Sequence, residues 1–264
     1  MNPAIARSFA RIRSRLFPRP SQLARVPLPA DISAVYAIGD VHGHLARLQA
    51  LEQVIADDLS RGRGGRRPLV VMLGDYVDRG PDSAGVLAHL AGTPGPAPRL
   101  CLRGNHEALF LDFLDRPSAR HDWLQFGGRQ TLLSYGLDID HLLATYRGRP
   151  DGLQDVLRSA VPAAHRAFLG SLPVAAFTDD LIFAHAGIRP GLPLEKQSDH
   201  DLLWIREPFL SQGSGLRQTV VHGHTVQPTL RLAGNRLGID MGVQTSGRLI
   251  ALRIGPDGIV SLSG

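Results

Sequence analysis

The chain has 264 residues, of which 43% are apolar and 20% are charged, and this balance excludes an intrinsically disordered chain, a coiled coil and a collagen-like repeat. The single cysteine, Cys101, excludes an intrachain disulfide and a thiolate metal cage. No run of about 18 apolar residues predicts a membrane span, so we expect a folded, cytoplasmic protein.

The formal net charge of +5 is concentrated at the N-terminus. Residues 1–30 contain six arginines and no acidic residue, and apolar residues recur at helical spacing from Ile5 to Leu16. We therefore predict a basic leader at residues 1–30. It is either an amphipathic helix that makes weak contact with a membrane surface or a partner, or an unordered terminus. Residues 31–264 are predicted to form a single domain.

In the first half of this domain, short apolar runs alternate with stretches of helical apolar spacing. The runs suit buried strands, and the stretches repeat an apolar residue every three or four positions, as a helix face does. The predicted elements are a strand at 35–39, a helix at 45–59, a strand at 69–73, a helix around 87–90, a strand at 99–103 and a mostly helical region at 107–172. This alternation is typical of an open α/β sheet.

In the second half, strands follow one another with few helices between them. The predicted strands lie at 181–184, 219–221, 236–239, 249–254 and 259–262, and Gly255-Pro-Asp-Gly258 predicts a hairpin turn between the last two. We therefore expect a mixed α/β fold in which two β-sheets pack together and are flanked by helices. The late strands are expected to pair antiparallel.

Five of the apolar runs end in residue types that bind metal ions. The segments are GDVHG at 39–43, GDYVDRG at 74–80, RGNHE at 103–107, HAG at 185–187 and HGHT at 222–225. Because the carboxyl ends of strands in an open α/β sheet meet at one crevice, we expect their Asp, Asn and His side chains to lie together. Oxygen and imidazole ligands without sulfur suit manganese, iron or zinc rather than calcium. The sequence therefore predicts a metal site at this crevice.

The HGHT segment offers two histidines for one ligand position. His222 continues its strand, whereas Gly223 allows a turn that presents His224 at the strand end, so His224 is the predicted ligand.

Taken together, GDVHG, GDYVDRG and RGNHE resemble the motifs of the metallophosphoesterase superfamily, and specifically its phosphoprotein phosphatase branch, which includes calcineurin and small bacterial serine/threonine protein phosphatases. The resemblance covers about residues 33–255. It implies a metallophosphoesterase-type αββα sandwich over the catalytic domain, residues 31–264. It also implies two divalent metal ions, manganese foremost, with iron or zinc as alternatives.

The resemblance further implies a role for individual residues. The matching metal ligands are Asp40 and His42 for the first ion, Asp75 as the bridge, and Asn105, His185 and His224 for the second ion. The matching general acid is His106, and its carboxylate partner is Asp78. The positions that match phosphate-binding arginines are Arg79, Arg103 and Arg206. The alternative for Arg206 is a surface ion pair with Asp201 or Glu207.

These residues predict a phosphomonoester hydrolase. A carboxylate such as Asp75 can bridge two divalent ions about 3.5–4 Å apart, and such a pair turns a shared water into hydroxide near neutral pH. This hydroxide would be the nucleophile, His106 would protonate the leaving oxygen, and arginine forks would bind the phosphate. The expected substrate is phosphorylated serine or threonine, or tyrosine, in a protein or peptide.

Two other functions stay open. Enzymes that hydrolyse dinucleoside polyphosphates, such as diadenosine tetraphosphate, share the first motifs, although they tend to have G-N-H-D where this chain has Gly104-Asn-His-Glu107. The arginine-rich leader alternatively fits a non-catalytic module that binds anions or a membrane. No nucleic-acid partner is expected, because the near-neutral body lacks the clustered cations that contact phosphates.

Overall fold

The structure is a computed structural model that describes residues 23–119 and 121–264. Its strands form one six-stranded and one five-stranded sheet. The strands are β1 (Arg25–Pro27), β2 (Ala34–Ile38), β3 (Pro68–Met72), β4 (Arg99–Cys101), β5 (Ala175–Phe177), β6 (Leu181–Ala184), β7 (Thr219–His222), β8 (Arg231–Ala233), β9 (Arg236–Gly238), β10 (Ile250–Gly255) and β11 (Gly258–Ser263).

Helices cover the outer faces of the sheets and fill the region between β4 and β5. They are α1 (Leu45–Ser60), α2 (Ser83–Gly92), α3 (Asn105–Asp115), α4 (Gly128–Ser134), α5 (Ile139–Thr145), α6 (Pro150–Ala160), α7 (Ala163–Ser171), α8 (Asp199–Trp204), α9 (Phe209–Gln212) and α10 (Val243–Ser246), with 3-10 turns at Pro117–Ala119, His121–Phe126 and Leu194–Lys196. Within the described residues, no helix has both the length and the apolar character that crossing a bilayer requires.

The five-stranded sheet has the order β11-β10-β2-β3-β4, and the other has the order β1-β5-β6-β7-β9-β8. Antiparallel pairing of the predicted late strands holds for β10 with β11, but it is wrong for β6, β7 and β9, which pair in parallel. Strand β9 also pairs antiparallel with β8, which the sequence did not predict. The chain returns to the starting edge of the sheet through residues 185–218 before β7 and through residues 223–235 before β9. The three strands β6, β7 and β9 therefore run in the same direction.

The two sheets pack face to face through a shared apolar core. Alternate residues of β2 point in opposite directions: Val35 and Ala37 contact the core between the sheets, whereas Tyr36 and Ile38 face the core under the helices. Burial on both faces explains why this strand is apolar throughout. A fully buried aliphatic side chain contributes about 1.5–3 kcal/mol to the stability of the fold. The apolar cores on the two sides of β2 therefore hold the carboxyl ends of the strands in a fixed arrangement.

Strand β1 lies within residues 1–30, the predicted leader. Arg25 pairs in parallel with Ala175 of β5, and the backbone N–H of Leu28 donates to the carbonyl of Phe177 at 2.8 Å. The sheet therefore begins earlier in the chain than the predicted domain boundary at residue 31. The amphipathic helix predicted for residues 5–16 lies outside the described residues.

Candidate metal centre

The structure brings the predicted metal ligands together around one carboxylate. Oδ2 of Asp75 lies 3.7 Å from Nε2 of both His42 and His106, and its Oδ1 lies 3.3 Å from Nε2 of His185. Two groups of ligand atoms, each within 4.8 Å of one another, share Asp75: one adds His42 and His106, and the other adds His185 and His224. A carboxylate common to two such groups is the arrangement that can hold two divalent ions.

Asp40 and Asn105 border the same space. The carboxylate of Asp40 accepts the backbone N–H of His224, with distances of 3.0 and 3.3 Å to its two oxygens. Oδ1 of Asn105 lies 2.8 Å from Nε2 of His185. The six predicted ligands therefore line one space at the carboxyl ends of β2, β3, β4, β6 and β7, between the two sheets.

The charges and lone pairs of this cluster fit bound cations. Burial lowers the pKa of His42 and of His224 to about 3, so both imidazoles are neutral at neutral pH and have a nitrogen lone pair to give. Nε2 of His224 is buried and has no hydrogen-bond partner among the described residues. Burial, reinforced by the carboxylates of Asp240 and Asp75, raises the pKa of Asp40 well above its usual value. Divalent cations would supply the positive charge that balances these closely spaced carboxylates.

The loops that present the ligands have unusual backbone conformations. Five predicted site residues have φ between 43° and 74°, a region that L residues rarely adopt: His42, Asp75, Asp78, Arg79 and His224. Such residues cost on the order of 1–3 kcal/mol each, and they persist only where their surroundings fix them. Gly74 permits one of these approaches, because a Cβ at its φ of 106° would lie 2.5 Å from the backbone nitrogen of Gly104. The loops after β3 and β4 can therefore meet only with glycine at this position.

Glu107 is a buried residue of the centre to which sequence reasoning gave no role. Its carboxylate accepts the backbone N–H groups of Asp75, Tyr76 and Gly104 at 2.7–2.8 Å. Burial and the nearby charge of Asp75 raise the pKa of Glu107 to about 7. It connects the loops that follow β3 and β4. Its position in the sequence could have identified it. Glu107 lies three residues after Gly104 at a helix start, where a carboxylate can accept hydrogen bonds from free N–H groups.

The predicted acid and its partner are in contact. Nδ1 of His106 lies 2.6 Å from Oδ2 of Asp78, a fully buried carboxylate. The indole N–H of Trp123 donates to the same oxygen, and the hydroxyl of Thr131 donates to Oδ1, both at 2.6 Å. Burial raises the pKa of Asp78, and these three donors oppose that effect. Sequence reasoning missed Trp123 and Thr131, because they lie in the helical region far along the chain and belong to none of the recognised motifs.

Of the three predicted arginines, Arg79 contacts the cluster and Arg206 lies near His224. The guanidinium nitrogens of Arg79 lie 2.9 Å from Nε2 of His42 and 3.1 Å from Nε2 of His106. Arg206 is exposed, and its charge helps to lower the pKa of His224 after the larger effect of burial.

The alternative surface pairs of Arg206 are not formed. Asp201 binds Arg189 at 2.8 Å, and Glu207 accepts the hydroxyl of Ser211 at 2.6 Å. Arg206 therefore keeps its charge available near His224.

Arg103 differs from its predicted role in phosphate binding. One terminal nitrogen donates to the carbonyl oxygens of Leu169 and Gly170 at 2.8 and 3.1 Å, and the residue is only 9% exposed. Arg103 thus binds the last turn of α7, whose carbonyls have no partner within their own helix. Position in a motif gave no sign of this contact, because it depends on a helix that begins 60 residues later.

The choice between the two late histidines agrees with the geometry. His224 belongs to a ligand group around Asp75, whereas His222 belongs to none among the described residues. The ring of His222 packs edge-on against Phe209, with ring centroids 5.0 Å apart. A Cβ at Gly223 would lie 2.0 Å from an oxygen of Asp40, so the turn between the two histidines needs glycine.

Comparison with known proteins agrees with this geometry. A sequence model of the family described as "Calcineurin-like phosphoesterase" matches residues 33–260. The chain is similar to "Serine/threonine-protein phosphatase 1" of Salmonella typhimurium (strain LT2), with 29% identity over 226 residues that cover 83% of this chain and 91% of that protein. It is also similar to "Bis(5'-nucleosyl)-tetraphosphatase, symmetrical" of Methylococcus capsulatus (strain Bath), with 33% identity over 138 residues that cover 51% of this chain and 45% of that protein.

One solved structure has the same fold over nearly its whole length. It is described as a putative diadenosine tetraphosphatase, and it superposes with a TM-score of 0.59 and 24% sequence identity over 92% of this chain and 98% of that one.

Proposed function

The chain belongs to the calcineurin-like phosphoesterase family and is a metal-dependent phosphatase, and we propose that it removes phosphate from serine and threonine residues of proteins. Phosphotyrosine is the secondary substrate of this proposal. The observation that carries the proposal is the contact of His106 with Asp78, formed beside the carboxylate that both ligand groups share. This contact supports a role for His106 as proton donor to the leaving oxygen.

The proposed metal centre uses Asp40, His42, Asp75, Asn105, His185 and His224. Two divalent ions, manganese in the first instance, would supply Lewis-acid charge and an activated water when bound. Mixed carboxylate, amide and imidazole ligands also suit iron and zinc. Asp75 contributes to both positions because its two oxygens face different histidines, His42 and His185.

The chain's own cations bind the substrate phosphate in this proposal. Arg79 lies beside His42 and His106, and Arg206 is exposed near His224. Guanidinium groups form paired hydrogen bonds with phosphate oxygens, and these bonds strengthen as negative charge develops on the oxygens during transfer. The two arginines would therefore orient the phosphate and stabilise the transition state.

As an imidazolium, His106 would carry a proton on each ring nitrogen. Nδ1 donates to Asp78, and this contact fixes the ring so that Nε2 and its proton face the crevice. Burial alone would lower the pKa of His106, but Asp75 and the hydrogen bond with Asp78 raise it above its usual value. A histidine held in this way donates its proton to the leaving oxygen of serine or threonine, a step typically worth about 10²–10⁴-fold in rate.

The extent of the similarities favours a phosphoprotein substrate over a dinucleotide. The match to the serine/threonine-protein phosphatase covers 91% of that protein, whereas the match to the tetraphosphatase covers 45% of it. The second candidate, hydrolysis of dinucleoside polyphosphates, is supported by the higher identity of 33% within the shared part. Both substrates would use the same metal centre, so the residues that line the crevice around it would determine the substrate preference.

The test compares specificity constants on both classes of substrate. The protein is stripped with a chelator, reloaded with manganese, iron or zinc, and assayed on phosphoserine, phosphothreonine and phosphotyrosine peptides and on diadenosine tetraphosphate. His106→Asn is the control for background hydrolysis. The proposal expects the highest kcat/KM on the phosphoserine and phosphothreonine peptides. A higher kcat/KM on diadenosine tetraphosphate would overturn it and support the second candidate.

A further inference from the structure

A groove beside the proposed phosphate site has no part in the chemistry described so far. It has a volume of about 550 Å³, and one of its walls is Arg79, whose guanidinium contacts His42 and His106. The other walls come from the segment 124–130 and from Gln244. The groove therefore adjoins the arginine that is proposed to bind phosphate, and it is formed by parts of the chain that lie far apart in sequence.

One wall of the groove is attached to the loop that carries the partner of the general acid. The carbonyl of Gly127 accepts the backbone N–H of Arg79 at 3.4 Å, and a Cβ at Gly127 would lie 2.5 Å from that nitrogen. The indole N–H of Trp123 donates to Asp78 at 2.6 Å. These contacts hold the 3-10 turn His121–Phe126 in a defined position beside Arg79.

Phe126 ends this turn and presents a large apolar ring to solvent. Its side chain is 50% exposed, whereas Trp123 of the same turn is fully buried. Single exposed apolar residues are common on protein surfaces. Phe126 differs from them because its ring lines the groove that Arg79 also lines. A ligand that covers the ring would gain binding energy from the apolar area that it buries.

The charges of the groove beyond Arg79 favour a neutral occupant. Arg129 is the second cation of the lining, and it already pairs with Asp140 at 2.5 Å. Among the described residues that line the groove, none is acidic. A dinucleoside polyphosphate would carry further negative phosphates past Arg79, where only the paired Arg129 could meet them. An uncharged stretch of peptide has no such requirement.

The polar residues of the lining suit a peptide backbone. They are the glutamines Gln125, Gln130 and Gln244, and each amide offers a donor and an acceptor, as a peptide unit does. Gln125 and Gln130 are exposed, so their amides are accessible. Oε1 of Gln244 has no hydrogen-bond partner among the described residues. A backbone N–H of a bound peptide is a donor that this oxygen could accept.

The proposed direction of proton transfer leads the substrate towards this groove. Nε2 of His106, the nitrogen that would give its proton to the leaving oxygen, lies 3.1 Å from the guanidinium of Arg79. The leaving oxygen would therefore lie beside Arg79, and the peptide that carries it would enter the groove. Successive residues of an extended chain are about 3.3–3.6 Å apart, so a residue one or two positions from the phosphorylated one would lie in the groove.

We propose that Phe126 is a specificity-determining residue, which packs against a large apolar side chain one or two positions from the phosphorylated residue of a peptide substrate. The inference rests on the proposed phosphoprotein phosphatase function. The contact is the same in the bound substrate and in the transition state, so it lowers KM while kcat stays the same. Because the contact is apolar, the preference should persist at about 0.5 M salt.

The test uses two phosphoserine peptides that differ only in the residues within two positions of the phosphoserine. These residues are leucine in one peptide and serine in the other. In the unmodified protein we expect KM to be about tenfold lower for the leucine peptide, as burial of about 60 Å² of apolar surface would give. Phe126→Ala should raise KM for the leucine peptide about tenfold, with unchanged kcat, and KM for the serine peptide much less. Phe126→Leu keeps an apolar side chain and should retain part of the preference.

The matched control removes an apolar side chain from the same helical region but outside the groove. Leu133 of α4 is 68% exposed and is not part of the lining. Leu133→Ala should keep the full preference for the leucine peptide. An equal loss of preference in this control would overturn the assignment to Phe126, because any exposed apolar side chain of the region would then have the same effect.

Three other results would also overturn the inference. The first is equal KM for the two peptides in the unmodified protein, and the second is an unchanged preference in Phe126→Ala. The third is a rise in KM for diadenosine tetraphosphate in Phe126→Ala without a change for either peptide, which would assign the ring to a nucleobase. The proposed function fails in a different way, through absent turnover of both phosphopeptides by the unmodified protein while para-nitrophenyl phosphate is still hydrolysed.

Discussion

Thr131→Val tests whether the buried contacts of Asp78 support His106 as the proposed general acid. The hydroxyl of Thr131 donates to Oδ1 of Asp78 and accepts the backbone N–H of the same residue at 2.8 Å. Valine has nearly the same shape but neither donates nor accepts. The backbone N–H of Asp78 keeps a second acceptor, the hydroxyl of Ser83 at 3.0 Å. The substitution therefore removes one donor from the carboxylate without leaving a buried N–H group unpaired.

The structure sets the size of the effect. A hydrogen bond to a charged group contributes about 1.5–3 kcal/mol. Asp78 keeps two other side-chain donors, His106 and Trp123, so the lower end of this range applies. If the loss is felt by the acid in the transition state, about 1.5 kcal/mol corresponds to a roughly tenfold lower kcat. Thr131→Ser keeps the hydroxyl and should restore most of the rate.

The assay compares an alkyl phosphate with an aryl phosphate. A phenolate leaves with little help from an acid, so Thr131→Val should slow the alkyl ester about tenfold and the aryl ester much less. Thr145→Val, the same change at an exposed position of α5, should affect neither substrate. Equal losses on both esters, or no loss on either, would refute the idea that Thr131 acts through Asp78 on His106.

The remaining predictions concern the metal bridge and two arginines. Asp75→Asn should lower the metal content measured by elemental analysis and abolish turnover, whereas Asp57→Asn, at an exposed position of α1, should change neither. Arg206→Ala should reduce kcat/KM for a phosphopeptide by about 30-fold with unchanged metal content; a normal kcat/KM would exclude it from phosphate binding. Arg103→Ala should lower the free energy of unfolding by about 1–3 kcal/mol, in denaturant titrations, and reduce turnover much less than Arg206→Ala does.

The long elements of the fold were predictable from local pattern alone. The run at 69–73 predicted β3, which spans Pro68–Met72, and the apolar spacing at 45–59 predicted α1. Three of the five three-residue strands, β1, β5 and β8, were missed, because so short a segment has no recognisable period. The other two, β4 and β9, were predicted because each lies within a longer apolar run. Strand direction was also missed for β6, β7 and β9. It depends on how the intervening segments cross the sheet, and apolar spacing carries no information about that path.

The cluster of candidate metal ligands was predictable because each residue follows a strand in a short motif that contains a glycine. The surroundings of His106, the proposed general acid, were not. Asp78 and Thr131 are 53 positions apart in the chain, and only the folded helices bring them into contact. Arg103 shows the same limit. Its motif suggested that it binds phosphate, whereas in the structure its guanidinium donates to a carbonyl in the last turn of α7. Local motifs therefore identified the candidate metal ligands, and tertiary contacts decided which residues support them.

The origin of the ligands links metal binding to the stability of the fold. Asp40, Asp75 and Asn105 follow strands of the five-stranded sheet, whereas His185 and His224 follow strands of the six-stranded sheet. Bound ions would therefore connect the two sheets, and an unfolded chain could not present these ligands together. Ligand at about 100 times its Kd stabilises a native state by about 2.7 kcal/mol. We expect Tm to rise when manganese is added to chelator-treated protein and to stay constant in Asp75→Asn, as measured by differential scanning fluorimetry. An equal rise in that variant would mean that the ions bind elsewhere.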